Sequence, residues 1–61
     1  MGHKITDEDK ASASRGLKMT TLNVGQLQDL IEVHSAIDAF ASQVIVEAAK
    51  FEAIQRGVQH A

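Results

Sequence analysis

Sixty-one residues without cysteine, proline, tryptophan or tyrosine leave room for one small domain, with no disulfide and no thiolate metal site. Six basic against eight acidic residues give a formal charge of −2, which is no electrostatic footprint for nucleic acid, while an apolar content of 44% is too high for a disordered tail. Chains of this size bury only about 60% of their unfolded surface, so in the absence of a disulfide a partner is the route left to stability.

In chain order, residues 1–22 read as a polar arm and residues 23–61 as an association helix. Gly2 and Thr6 match the loose pattern for N-terminal myristoylation, but such patterns recur by chance, and Asp7, Glu8 and Asp9 would repel an anionic membrane. Thr6 with Asp9 forms a capping box, and the three acids suit the positive end of a helix dipole. A short helix over about 7–14 is expected, ended by Gly16 in the left-handed conformation. Its only apolar residues, Ala11 and Ala13, form no stripe, so it needs docking to persist.

Leu17 to Leu22 reads as an extended connector, because Leu17, Met19 and Thr21 alternate with Lys18, Thr20 and Leu22. Six extended residues are too many for the tight turn of a helix-turn-helix. The next start signal is stronger. Asn23 is a good N-cap, Gln26 completes a capping box, and Leu22 with Leu27 forms a hydrophobic staple. No Gly interrupts between Gln26 and Arg56, so one helix over about 24–57, with its C-cap at Gly57, is the leading reading. At a rise of 1.5 Å per residue that is a rod of about 50 Å. In the alternative, Ser35 and Asp38 form a further capping box and split the rod into helices near 24–33 and 36–56 that fold back as a hairpin.

Along this segment runs a seven-residue repeat. Leu30, Ile37, Val44, Phe51 and Val58 occupy one heptad position, Val33, Phe40, Glu47 and Ile54 the other, and Leu27, Ile31, Ala41, Ile45 and Ala48 widen the stripe. The expected fold is therefore all-α, a helical bundle or coiled coil formed by association, with three to six helices in contact. Glu47 is the one polar residue on the seam. Its carboxylate either points outward or pairs with Lys50; the sharper reading is that it specifies register or partner.

Catalytic, cofactor and metal sites are not expected. No serine stands in a recognisable nucleophile setting, and His34 with Asp38 reads as a local contact on one helix face. Glu32 and His34 are two apart, which is the wrong spacing for a di-iron Glu-x-x-His motif. His3, His34 and His60 would meet a metal only through an oligomer.

The N-terminal zone carries four bases against three acids, +1, and the C-terminal zone carries five acids against two bases, −3. Lys10, Arg15 and Lys18 are thus candidate arm contacts to the acidic helix of another copy; contact with nucleic acid is the weaker reading. No stretch is apolar enough for a membrane span or a secretion signal. The expected partners are copies of the chain or other protein helices, in a reducing compartment or a virus particle. The leading functional expectation is a non-enzymatic assembly subunit of a larger complex, such as a minor virus or phage component. The alternatives are a small dimeric coiled-coil regulator that inhibits a protein partner and, behind it, a dimeric nucleic-acid-binding protein.

Overall fold

The computed structural model describes residues 4–57, which form three α-helices and one short 3-10 turn. Helix α1 spans Asp7–Leu17, the turn Met19–Thr21, α2 Val24–Ser35 and α3 Phe40–Gln55. The two expected capping boxes start α1 and α2. Thr6 N–H donates to Asp9 Oδ2 and Asp9 N–H to Thr6 Oγ1, each at 3.1 Å. Asn23 N–H donates to Gln26 Oε1 at 2.9 Å, and Gln26 N–H to Asn23 Oδ1 at 2.8 Å. Each pair satisfies donors that a helix start otherwise leaves orphaned.

Three expectations need correction. The single rod over 24–57 does not form: the helix ends at Ser35 and restarts at Phe40, so the chain folds back as a hairpin. Ala36 and Ile37 N–H donate to the Val33 and His34 carbonyls at 3.3 and 3.1 Å, a tightening into 3-10 geometry before the chain leaves the helix. Ser35, Ile37 and Asp38 are weak helix formers, so the break falls where continuing gains least. Nor does a Ser35–Asp38 box restart the chain. The N-cap of α3 is Ala39, extended at φ −142°, ψ 145°, with no side-chain cap, and α3 begins four residues later than that alternative places it.

Gly16 is the second correction. It stays helical, and Lys18 takes the left-handed cap at φ 52°, ψ 49°. The third is the connector, which winds into the 3-10 turn because Met19 drops fully into the core. Gly57 does adopt the left-handed conformation expected just past the last helix, at φ 80°.

Helix α3 is the central element, since α1 and α2 both pack on it. Ser42, Val46, Ala49 and Ala53 recur at intervals of four, three and four and are buried, and Val44 and Ala48 are buried beside them. The core joins Met19, Leu27, Ala48, Ala49 and Ala53, with Ala13, Leu22, Leu30, Ile31 and Ile45 packed around it. Three alanines at the centre bring helix backbones close, and Met19 and Leu27 supply the bulk. Both members of the Leu22–Leu27 staple therefore end in the same cluster.

Two polar anchors fix the arrangement. His34 Nδ1 and Ser42 Oγ share a hydrogen bond of 3.1 Å across the 36–39 turn, tying α2 to α3. At the far end Arg56 donates from Nη1 to the Leu22 carbonyl and from Nη2 to the Met19 carbonyl at 2.6 Å. Its Nε pairs with Glu52 Oε2 at 3.1 Å. One guanidinium fork thus clamps the connector to the end of α3.

Candidate functional site

The heptad residues divide between core and surface once the hairpin forms. Leu27 and Val44 are buried and Leu30 is half-buried. Val33 stays 60% exposed and Ile54 63%, with Phe51 at 48% and Ile37 and Phe40 just above 40%. Glu47 is exposed, pairs with neither Lys50 nor any other base among the described residues, and sits on the outer face of α3. Val58 lies outside the described residues. An apolar stripe read as one seam is therefore mostly surface, with only Leu27, Leu30 and Val44 turned towards the core.

The outer face of the hairpin carries two depressions. One, of about 370 Å³, lies by the 36–39 turn, with His34, Asp38, Gln43, Val46 and Glu47 in its walls and Ile5 reaching it from before α1. The other, of about 400 Å³, lies between α2 and α3 and is lined by Gln28, Ile31, Glu32, Lys50 and Ile54. On α3 the exposed residues Gln43, Glu47, Lys50 and Ile54 follow one another at intervals of four, three and four, so both depressions open along one stripe of that helix.

The chemistry of the first depression is structural. His34 meets Ser42, not the Asp38 that sequence spacing offers it. Ser42 is only 7% exposed, and no carboxylate bonds His34 among the described residues, so the pair lacks the accessible nucleophile and oriented base of an acyl-transfer site. No three His, Asp or Glu side chains converge as a metal-binding group among the described residues; His3 and His60 lie outside them. No helix among the described residues is long and apolar enough to cross a membrane.

The arm residues are engaged locally. Lys10 pairs with Asp7 at 3.4 Å and lies over the Phe51 ring, 5.4 Å from its centroid, which ties α1 to α3. Arg15 pairs with Glu8 at 3.9 Å. Lys18 serves through its backbone: its carbonyl accepts from Thr21 N–H at 2.9 Å and Thr21 Oγ1 at 2.7 Å.

Sequence reading passed over Ser42 and the reach of Arg56. A serine in an apolar stripe and an arginine beside a C-cap glycine are weak signals by themselves, because their partners lie 8 and more than 30 residues away. Glu32 and Lys50, on the walls of the second depression, give no signal until the hairpin brings their helices together. Comparison with family models, characterised proteins and solved structures finds no match to this chain.

Proposed function

We propose that this chain is a non-enzymatic helical assembly subunit, which joins further copies or other helices of a larger complex through the apolar residues that its own fold leaves outside. The observation that carries this reading is the exposure of Val33, Ile37, Phe40, Phe51 and Ile54 after the core has closed. Single exposed apolar residues are ordinary on a protein surface. Five from the two heptad positions on so small a domain are better accounted for by a contact still to be made. The α2–α3 groove sets apolar Ile31 and Ile54 beside polar Gln28 and charged Glu32 and Lys50, a mixture that protein interfaces commonly show. A minor component of a virus or phage particle is a setting that suits a short, cysteine-free chain of this kind.

Sedimentation equilibrium of the full chain over a concentration series tests the reading. Discrete species beyond the dimer are expected, and Val33→Glu should reduce their mass while helicity by circular dichroism is kept. A chain that stays monomeric at all concentrations, with full helicity, overturns self-assembly. One that stops at a dimer supports the regulator alternative instead.

A further inference from the structure

The turn between α2 and α3 has little in its own sequence to enforce it. Ala36, Ile37, Asp38 and Ala39 include neither glycine nor proline. Ala36 still has right-handed helical angles at φ −83°, ψ −7°, and α3 starts from Ala39 without a side-chain cap. Three residues at most, 37–39, therefore separate the hairpin from a helix that runs on. Such a continued helix would also be in phase. Leu27, Ile31 and His34 of α2 and Ser42, Ala49 and Ala53 of α3 would lie within about 100° of one another around its axis. These are the residues that enter the core or tie the two helices together.

We propose that two copies of the chain exchange α3 by opening this turn. Each copy then carries one long helix, the two long helices run antiparallel, and α3 of each copy fills the place that α3 has left in the other. The partner is a second copy because the surface α3 vacates is the surface it fits, so the complementarity is that of the fold itself. The His34–Ser42 bond, the contact of Lys10 with the Phe51 ring and the bonds from Arg56 to the Met19 and Leu22 carbonyls are all re-formed, now between chains.

The one new juxtaposition of charge falls on the two-fold axis. Pairing of position 34 with position 42, carried over from the hairpin, sets position 38 opposite itself. Asp38 is the only charged residue between Ser35 and Glu47, so two carboxylates face each other there and nothing answers them. Asp38 thus holds the balance towards the hairpin, and exchange gains as concentration rises. The proposal does not rest on the assembly reading, since exchange uses contacts that a single chain already makes. It does supply a form in which Val33, Phe40, Phe51 and Ile54 share the far face of one helix, with Glu47 among them.

Refolding the full chain from urea at about 10 μM and about 1 mM, followed by size-exclusion chromatography with light scattering, tests the proposal. The parent should give a dimer fraction that rises with refolding concentration. Asp38→Ala removes the facing carboxylates and puts a better helix former in both turns, and should strengthen dimerisation about tenfold. Ala39→Ser supplies a cap that only the hairpin uses, and should weaken it about thirtyfold, because it acts at both turns. In dimers refolded from isotope-labelled and unlabelled chains, filtered NOEs should join His34 to Ser42 of the partner subunit.

If dimers form but these NOEs stay within one chain, the copies meet through another surface; exchange is then wrong and the assembly reading survives. If the two substitutions leave the dimer unchanged, or shift it in the same direction, residues 36–39 are not the hinge. Parent and Asp38→Ala chains that both remain monomeric after refolding at about 1 mM overturn the exchange and self-assembly together.

Discussion

Arg56→Met offers the sharpest test of how so small a core is held closed. The guanidinium bonds the Met19 and Leu22 carbonyls and the Glu52 carboxylate, so one side chain ties the end of α3 to the connector, 34 and 37 residues earlier in the sequence. Hydrogen bonds to a charged group are worth about 1.5–3 kcal/mol each, but these three come from one guanidinium and the contributions do not add. The Arg56 side chain is also 25% exposed, so water will recover some of the loss. A net cost of about 2–3 kcal/mol follows. Total stability for about 60 residues is on the order of 3–9 kcal/mol, so this is a large share of it.

The assay is urea and thermal unfolding followed by far-UV circular dichroism, at fixed protein concentration because association feeds into apparent stability. Tm should fall by about 10–20 °C. Glu52, whose side chain is only 14% exposed, is left unpaired in Arg56→Met. Adding Glu52→Gln should therefore recover about 1 kcal/mol. A loss below about 0.5 kcal/mol in Arg56→Met would show that Arg56 is an ordinary solvated surface charge, and the clamp would be refuted.

Three other substitutions probe separate features. Met19→Ala should cost about 2–5 kcal/mol and leave a largely unfolded chain by circular dichroism, because Met19 is fully buried at the centre of the core; native helicity and an unchanged urea midpoint would place it elsewhere. Ala39→Ser supplies the missing cap of α3 and should stabilise by about 0.5–1 kcal/mol, whereas in an unbroken helix the same change would destabilise by a few tenths, so the sign of the shift in urea midpoint separates hairpin from rod. Lys18→Gly removes a side chain from a left-handed backbone position and should raise stability by about 1 kcal/mol; a loss would mean that the φ of 52° is not kept in solution.

The all-helical class and the two capping-box starts at Thr6 and Asn23 were legible in the amino-acid order, because capping is settled within four residues by groups adjacent in the chain. So was the left-handed glycine at 57, for the same local reason. Heptad periodicity correctly marked apolar positions but could not say which of them would face inward. Leu27 and Val44 do, while Val33 and Ile54 do not.

The break at 36–39, the burial of Met19, the His34–Ser42 tie and the Arg56 clamp came from tertiary packing alone. No glycine or proline announces that break. A rod would carry Leu27, Ala49 and Ala53 along its length with nothing to cover them, whereas the fold-back gathers all three into one core with Met19. Backbone hydrogen bonds given up at the turn are replaced by water at modest net cost, and removing apolar surface from water offsets that loss. The balance depends on which distant segments meet, and local sequence does not contain it.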